Sequence, residues 1–262
     1  MSSTSLAGLR VLITRPAPQQ EALIAAIEAA AGATLYRPLL AISALQDAAD
    51  RRRLRSRLLD LDRFQILIFV SLNAVQHGVA SIEDLWPQFP EGIQLVAIGP
   101  GTGARLRESL GREVVWSSAG VTTEELLAMP ELGAIAGQRI GIVRGRGGRE
   151  LLAATLRERG AEVEYLEVYE RHDVDYVPAE FVHALKANAI NVLTVSSGES
   201  LQRLVSLLGD NKAEMSLLPL LVPSQRVAQQ ATAAGFDRVI DCEGADVDAC
   251  LKALTALAQA SG

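Results

Sequence analysis

The chain has 262 residues, of which 49% are hydrophobic, and it carries a formal net charge of −6 at pH 7. This length is sufficient for one large or two ordinary α/β domains with hydrophobic cores. The acidic balance argues against a nonspecific binder of nucleic acid or of anionic membranes, because such a protein needs a basic surface that displaces counterions. An anionic small molecule is still compatible, because a few arginines and backbone N–H groups can bind it locally.

No targeting or membrane signal is evident in the sequence. Residues 1–8 lack the basic region and the apolar stretch of a secretory signal. Apolar runs such as 65–70 and 190–195 have the length of strands, whereas a transmembrane helix needs roughly 20 apolar residues. Two cysteines, Cys242 and Cys250, are too few for a disulfide framework. We therefore expect a cytoplasmic protein, with a bridge between the two cysteines as the less favoured alternative.

The N-terminal region predicts a strand followed by a helix. Residues 9–13 form a short buried-type strand that ends at Thr14-Arg15-Pro16, and residues 19–31 have the apolar face of an amphipathic helix. Residues 34–42 are predicted to be extended, and an arginine-rich helix follows at about 47–60. We interpret its arginines as a solvated helix face rather than as a binding patch.

The middle of the chain predicts further strand–turn–helix units. Ser71 or Asn73 is expected to cap the helix after the first of these strands, and Thr122 and Glu125 have the spacing of a capping box. Strands are predicted at 65–70, 94–98, 113–116 and from residue 140 onward, with a further extended segment at 162–171.

A second series of units begins at residue 190, and no helix is assigned between Pro178 and that point. Serines precede two of its helices, at Ser196-Ser197 and at Ser224. The predicted strands are 190–195, 217–222 and 237–241, and the predicted helices are 201–208, a segment ending at 234, and 246–258.

The two series repeat one another. Residues 11–15 resemble residues 141–145, and residues 68–73 resemble residues 193–198. We infer two similar α/β domains with parallel sheets and helices on both faces. Ligands of such sheets bind at the carboxyl ends of the strands, which is where threonine, serine, glycine and arginine collect in this chain.

The turn at residues 144–150 is rich in glycine and arginine. It follows an apolar strand and precedes an amphipathic helix, so its backbone N–H groups and the helix dipole favour a carboxylate or a phosphate. Arg144, Arg146 and Arg149 would strengthen such a site. The alternative is that the glycines only permit positive φ in a short loop while the arginines face water. Repetition of similar strand ends favours binding.

Other chemistries have little support in the sequence. No Gly-Lys-Ser/Thr motif closes a phosphate loop, and residues 99–103 do not have the glycine spacing of a dinucleotide site. His77, His172 and His183 have no carboxylate or cysteine at ligand spacing, so we expect no metal. Ser196-Ser197-Gly198 lacks the nucleophile elbow of a serine hydrolase. The residues by themselves therefore predict a two-lobed binder of an anionic ligand.

A set of short stretches has a characteristic order and spacing along the chain: Thr14-Arg15-Pro16, residues 69–75, 97–102, 144–150 and 168–171, Val195-Ser196-Ser197 and residues 223–226. In this order and spacing the chain resembles the uroporphyrinogen-III synthase family over nearly its whole length. Gly103 stands where the family commonly has alanine, and Val70 where it commonly has threonine.

The resemblance implies a discontinuous domain organisation. Residues 1–36 and 172–262 would form one flavodoxin-like domain, and residues 37–171, with the connecting strands, would form the other. The two would be joined by a two-stranded hinge with a cleft between them. Closure of linear hydroxymethylbilane to uroporphyrinogen III, with inversion of ring D and loss of water, is the implied reaction. We expect no cofactor and no metal.

The resemblance also implies particular site residues. Tyr169 matches the family's tyrosine in the second connecting strand and is the candidate catalytic side chain, which assists departure of the hydroxyl group. The alternative is that Tyr169 only packs between the lobes. The expected substrate-binding residues, acting chiefly through backbone N–H groups, are Thr14, Arg15, Ser71, Asn73, Gly101, Thr102, Arg144, Gly145, Gly147, Arg149, Ser196, Ser197 and Ser224.

The expected partner is the substrate hydroxymethylbilane, with transient contact to the preceding pathway enzyme as a further hypothesis. We expect a monomer that binds neither nucleic acid nor membranes. A noncatalytic bilobal binding protein for an anionic small molecule is the alternative function, and a nucleotide-using α/β enzyme is a more distant one.

Overall fold

The computed structural model describes residues 5–117, 120, 122–148 and 150–261. Within this part, the chain divides into two compact units. The first contains the residues up to Ile42 and those from His172 onward, and the second contains Ser43–Arg171. The chain therefore passes from one unit to the other twice.

Strands are followed by helices along most of the described part of the chain. The first elements are β1 (Arg10–Ile13), α1 (Glu21–Ala29), β2 (Ala33–Tyr36), β3 (Leu40–Ala44), α2 (Ala48–Leu59), β4 (Ile66–Phe69), α3 (Leu72–Glu83), β5 (Gln94–Ala97), α4 (Pro100–Leu110), β6 (Val114–Trp116) and α5 (Thr123–Leu127). The following elements are β7 (Arg139–Gly145), α6 (Leu151–Glu158), β8 (Glu162–Asp173), α7 (Pro178–Ala187), β9 (Leu193–Thr194), α8 (Gly198–Leu208), α9 (Lys212–Met215), β10 (Leu220–Val222), α10 (Gln225–Ala233), β11 (Val239–Asp241) and α11 (Val247–Ser261).

The second unit is built on one long sheet. Its strands lie in the order β3-β8-β7-β4-β5-β6. From β8 to β6, all neighbouring strands are parallel. The carboxyl ends of β8, β7, β4 and β5 consequently meet at one edge of the sheet.

The first unit has two short parallel ladders that backbone hydrogen bonds join. One ladder is β1-β2 and the other is β9-β10-β11. Val192, just before β9, donates to the carbonyl of Arg10 and accepts from the N–H of Leu12. The resulting strand series is β2-β1-β9-β10-β11.

Five strands of each unit have the same spatial arrangement. In chain order, the first unit reads 2-1-3-4-5, which is the flavodoxin order. In the second unit, β8-β7-β4-β5-β6 is the same arrangement. There β7 takes the first place, β8 the second, and β4, β5 and β6 the third to fifth. The predicted α/β class with similar parallel-sheet units is confirmed. The strand order reverses between β1 and β9 in the first unit and between β7 and β4 in the second.

Helices cover both faces of each sheet. In β1, Leu12 belongs to the core beneath α7, α8 and α10, whereas Val11 and Ile13 belong to the core beneath α1 and α11. In the second unit, Ile140 and Ile142 pack with α5 and α6. β4 and β10 are buried at every residue, and they are apolar runs because both of their faces are covered.

Two helices, α7 and α9, were not anticipated from the sequence, and β9, β10 and β11 are shorter than the predicted strands. α7 begins with Pro178 at its first helical position, which proline tolerates because no N–H is needed there. The strand predicted at 190–195 is reduced to β9. Ile190 still bonds back to α7 through the carbonyl of Leu185, and the side chain of Asn191 pairs with the backbone of Gly8 and Arg10.

The first unit also extends beyond the expected boundary at residue 36. Arg37 donates its N–H to Ile13, Leu39 donates to Thr14, and Val174 donates to Leu39. These bonds attach the segment after β2 to β1, so the first crossing of the chain follows Ile42.

Gly103 has a packing explanation. A Cβ at this position would lie 2.8 Å from Cδ2 of Trp116, so the indole of β6 packs directly on the backbone of α4. The guanidinium of Arg107 lies 4.7 Å from the centre of the same ring.

None of the helices in the described part of the chain combines the length and apolarity of a bilayer-spanning segment.

Replacing Gly78 by alanine is expected to destabilise the second unit. The new Cβ would lie 2.7 Å from Cγ1 of Val143 and 3.1 Å from Cε1 of Phe69. Overpacking costs about 1–3 kcal/mol, which exceeds the roughly 1 kcal/mol that alanine gains over glycine in a helix. Urea denaturation should show a net loss of up to about 2 kcal/mol in the free energy of unfolding.

Gly101→Ala is the matched control, because Gly101 is also helical and no described atom lies within 4 Å of its Cβ position. This variant should keep the stability of the parent or exceed it by up to about 1 kcal/mol. Equal effects of the two substitutions would contradict the packing argument.

Candidate functional site

A cleft of about 170 Å³ lies at the carboxyl edge of the second unit's sheet. It is at the point where the strand order reverses between β7 and β4, which is where open α/β sheets bind ligands. Its lining consists of Val70, Ser71, Ile98, Thr123, Ile142, Arg144, Gly145, Gly147, Gly148, Leu152, Tyr169 and Arg171. Five of the predicted site residues are among them: Ser71, Arg144, Gly145, Gly147 and Tyr169.

Tyr169 lies in β8 with 2% of its surface exposed. Its hydroxyl oxygen is 3.3 Å from Oγ of Ser71, and either group can be the donor. Ser71 is also the N-cap of α3, where its Oγ accepts the N–H of Ala74 at 3.0 Å. The sequence prediction that Ser71 or Asn73 caps this helix is therefore settled in favour of Ser71.

Gly145 makes room for the tyrosine ring. A Cβ at this position would lie 2.5 Å from Cε2 of Tyr169. The pairing of β7 with β8 also shifts register at Arg144 and Gly145, which places Gly145 opposite Tyr169. Glycine at this strand end thus allows the phenol to reach the first turn of α3.

His77 is the aromatic neighbour of Tyr169. The two ring centres are 5.6 Å apart and the rings are inclined by 32°. Burial lowers the pKa of His77 below its ordinary value of 6.5, because a charged imidazole would lose hydration there. The tyrosine therefore has an uncharged neighbour at neutral pH.

Arg144 is buried and shapes the turn after β7. Its guanidinium donates to the carbonyls of Gly145 and Gly147 and lies 4.6 Å from the centre of the Tyr165 ring. Its Nη1 is 3.8 Å from a carboxylate oxygen of Glu150. Tyr165 donates to the same carboxylate, and burial, together with that hydrogen bond, raises the pKa of its phenol.

The glycines of this turn have the positive φ angles that the alternative interpretation invoked. The φ angles of Gly147 and Gly148 are +72° and +105°. The N–H of Gly147 donates to Oε1 of Glu167 at 3.2 Å, and the N–H of Arg146 donates to the carbonyl of Tyr169 at 2.7 Å. A substrate carboxylate would therefore have to replace that of Glu167 at Gly147.

The other predicted residues of the second unit lie nearby in the first turns of helices. Asn73 is half-buried in α3, Gly101 is exposed in α4, and Thr102 is buried beside it. Arg149 falls outside the residues that the structure describes. The side chain of Arg146 is directed to Asp50, with Nη1 3.0 Å from Oδ2.

In the first unit, Thr14 and Arg15 are both engaged by their own domain. Oγ1 of Thr14 donates to the carbonyl of Thr194 at 2.8 Å, and Oγ1 of Thr194 donates to the carbonyl of Leu12 at 2.7 Å. These reciprocal bonds hold β1 beside β9. Arg15 is buried, and its Nη2 lies 3.0 Å from Sγ of Cys250.

The serines of the first unit differ in their contacts. Ser197 caps α8 in a capping box with Ser200, and Oγ of Ser200 accepts the N–H groups of Ser196 and Ser197 at 3.1 and 3.0 Å. Ser224 stands at the N-cap of α10 without a side-chain cap bond. Ser200, Glu150 and Glu167 are site neighbours that sequence reasoning missed. The spacing of Ser197 and Ser200 was the available signal for the first of them.

Comparison with known proteins places these features in context. The family model described as uroporphyrinogen-III synthase HemD matches residues 21–252. The uroporphyrinogen-III synthase of Escherichia coli (strain K12) is 34% identical over 251 residues, which cover 94% of this chain and 100% of that protein. The corresponding protein of Salmonella typhimurium (strain LT2) is 36% identical over 248 residues, with 94% and 100% covered.

Solved structures show the same fold. A mutant uroporphyrinogen III synthase from the extremely thermophilic bacterium Thermus thermophilus matches with a TM-score of 0.60 and 17% identity, covering 97% of this chain and 100% of that chain. The uroporphyrinogen-III synthetase of Helicobacter pylori 26695 matches with a TM-score of 0.60 and 16% identity, covering 95% and 99%.

His77 should make the stability of the second unit depend on pH. Its folded-state pKa is below its ordinary value of 6.5, so the unfolded chain binds the proton more readily and protonation favours unfolding. Its contribution to stability is fully present above pH 6.5 and is lost as the pH falls through the lowered folded-state pKa. Urea denaturation across this range should show that the free energy of unfolding declines less steeply with falling pH in His77→Gln than in the parent.

His183→Gln is the control for this measurement, because His183 is exposed on α7. Its free energy of unfolding should decline with falling pH as steeply as that of the parent. A His77→Gln protein with an unchanged dependence on pH would contradict the assigned role of burial.

Proposed function

The chain belongs to the uroporphyrinogen-III synthase family, and we propose that it closes linear hydroxymethylbilane to uroporphyrinogen III with inversion of ring D and loss of water. The observation that carries this conclusion is the family match over residues 21–252. Full coverage of curated relatives at 34% and 36% identity supports it. The strand-end cleft with its phenol, hydroxyl and arginine supports it further.

The reaction demands more orientation than chemistry from the protein. Loss of water from the hydroxymethyl group leaves an azafulvene cation, and the substituted carbon of the far ring attacks it to give a spiro intermediate, which fragments and recloses. Pyrroles are electron-rich and supply the driving force. The protein has to hold the chain so that the disfavoured carbon meets the electrophile, and a proton donor has to assist the leaving hydroxyl group.

We assign the proton donor to Tyr169. Ser71 can donate to the phenol oxygen across 3.3 Å, which leaves the phenolic hydrogen available to the leaving hydroxyl group. A neutral phenol assists without adding charge beside a developing cation. With His77 uncharged at neutral pH, the nearest aromatic neighbour does not oppose that cation.

The cleft is suited to one part of the substrate rather than the whole. Its volume of about 170 Å³ is well below that of a tetrapyrrole. Val70, Ile98 and Ile142 offer apolar contacts, and Arg144 offers charge for an acidic substituent. Just outside, Leu72 and Leu151 begin α3 and α6 with 52% and 44% of their surfaces exposed, and they are suited to contact pyrrole faces.

The remaining predicted residues are proposed as further substrate contacts. Thr14, Arg15, Ser196, Ser197 and Ser224 stand at the carboxyl edge of the first unit's sheet. Because Ser200 already accepts two of the N–H groups, substrate binding there requires that its hydroxyl turns away. We further propose a cytoplasmic monomer that meets the preceding enzyme of the pathway only transiently.

A coupled assay with hydroxymethylbilane tests the proposed activity. The expected product is uroporphyrinogen III, formed faster than spontaneous closure to the uninverted isomer. A noncatalytic binding protein would leave the spontaneous product unchanged. Calorimetry with NAD or ATP should give no binding heat, which addresses the nucleotide-using alternative.

Tyr169→Phe should lower the turnover rate by about tenfold to a thousandfold, because it removes a hydrogen bond to the leaving group. The free energy of unfolding should fall by only about 0.5–1.5 kcal/mol, since one hydrogen bond to Ser71 is lost. Steady-state kinetics and urea denaturation measure the two effects. Tyr176→Phe, in the first unit, is the control and should keep the parent rate; equal rates in all three proteins would assign Tyr169 to packing.

Alanine variants of two serines test whether the backbone N–H groups or the hydroxyl groups bind the substrate. Oγ of Ser197 accepts the N–H of Ser200 at 3.1 Å, so Ser197→Ala should cost about 0.5–2 kcal/mol of stability. Ser224→Ala should cost little, because Ser224 makes no side-chain cap bond. Both variants should retain turnover within about tenfold of the parent, since the backbone donors remain. Complete loss of activity from either would show that a side chain is essential.

A further inference from the structure

Two thiols and a buried guanidinium meet at one end of the first unit. Cys242 directly follows β11, and Cys250 lies in the first turn of α11. Each cysteine has 7% of its surface exposed, and both are free thiols. Arg15 follows β1 with 9% of its surface exposed and directs Nη2 to Sγ of Cys250 at 3.0 Å.

This arrangement favours a thiolate at Cys250. A guanidinium that is largely withdrawn from water is stabilised by a negative partner, and the sulfur in hydrogen-bond contact can supply that charge. The hydrogen bond from the Cys242 thiol, followed by the charge of Arg15, lowers the pKa of Cys250 to about 7 although burial opposes this. The same hydrogen bond and burial raise the pKa of Cys242, which therefore stays protonated.

A surface pocket reaches Cys242. It has a volume of about 390 Å³ and is lined by Cys242 together with Asp241, Glu243, Lys252, Ala253 and Leu257. Both cysteines belong to the core beneath α1 and α11, and Cys242 lines the pocket together with Ala249 and Ala253, which lie beside Cys250 in α11. The pocket shares no residue with the cleft in the second unit.

We propose that Cys242 and Cys250 form a thiol-oxidation site that reacts with a small hydroperoxide and ends as an intramolecular disulfide. Cys250, in contact with Arg15, is the attacking sulfur, and Cys242, at the pocket, is the resolving one. The site shares Arg15 with the proposed substrate contacts, but thiol oxidation is measured without the cyclisation.

With hydrogen peroxide the steps balance as follows. The Cys250 thiolate attacks one peroxide oxygen, the O–O bond breaks, and hydroxide leaves and takes up the proton that Cys250 released. Sγ of Cys242 then attacks the sulfenic sulfur, the S–O bond breaks, and the hydroxyl leaves as water with the Cys242 proton. Two thiols and one peroxide thus give one disulfide and two waters, and an added dithiol reverses the bridge.

Intact-mass measurement of the full chain after mild treatment with hydrogen peroxide tests the product. We expect the loss of two hydrogens, a peptide that links residues 242 and 250, and full recovery of the parent mass with dithiothreitol. Cys242→Ser should stop at a sulfenic acid on Cys250 that dimedone traps. In Cys250→Ser, oxidation should slow by at least about tenfold, because the remaining thiol has little thiolate character. Unmodified native protein, or bridges only between molecules, would overturn the proposal.

The role of Arg15 is tested by the pH profile of thiol alkylation with iodoacetamide. In the native parent, the rate should rise with a midpoint near the value of about 7 given by the local contacts. Arg15→Gln should move the midpoint to higher pH. Arg10→Gln should not, because Arg10 is exposed at the start of β1, the strand that precedes Arg15.

Cys242→Ala supplies a second test where Arg15→Gln folds poorly by circular dichroism. It removes the thiol whose hydrogen bond lowers the pKa of Cys250 and should therefore also raise the midpoint of Cys250 alkylation. Unchanged midpoints in the folded variants, or equal reactivity of the two thiols in the native parent, would refute the assigned chemistry.

Discussion

Burial of both faces of the parallel sheets is the constraint on which the rest of this structure depends. Every residue of β4 is buried, and in β1 alternate side chains enter the cores on opposite faces. Polar groups have no place within such strands. They are therefore confined to the strand ends, and parallel pairing brings the carboxyl ends to one edge. The cleft beside Ser71, Arg144 and Tyr169 follows from this confinement.

At the same edge, backbone N–H groups are already hydrogen-bonded to side chains of the protein itself. Helix N-termini leave N–H groups that an acidic ligand can use, but several of these donors already have partners. Ser200 accepts the N–H groups of Ser196 and Ser197, and Glu167 accepts that of Gly147. Binding of a substrate carboxylate is thus an exchange of one acceptor for another. Its affinity depends on what the displaced side chain regains in water.

The two units also show that one strand arrangement can be reached by two routes of the chain. The first unit reads 2-1-3-4-5 in chain order, whereas the second gives this arrangement only when it is read from β7. Each unit nevertheless reverses its strand order beside an equivalent pair of strands. The repeat of residues 11–15 with residues 141–145 reflects this equivalence, because both segments are the first strand of the shared arrangement.

The sequence by itself determined the α/β class, most of the strands and the capping serines, because these depend on apolar runs and on contacts a few residues apart. Thr122 is recognisable as a cap from its spacing to Glu125 alone, whereas the choice between Ser71 and Asn73 needed the structure. The tertiary structure decided which groups meet. Tyr169 reaches Ser71 because Gly145 removes a side chain from the intervening strand, and Arg15 reaches Cys250 across 235 positions of the chain. Local patterns carry no record of such pairs, since only the packing of distant strands and helices sets the distance between them.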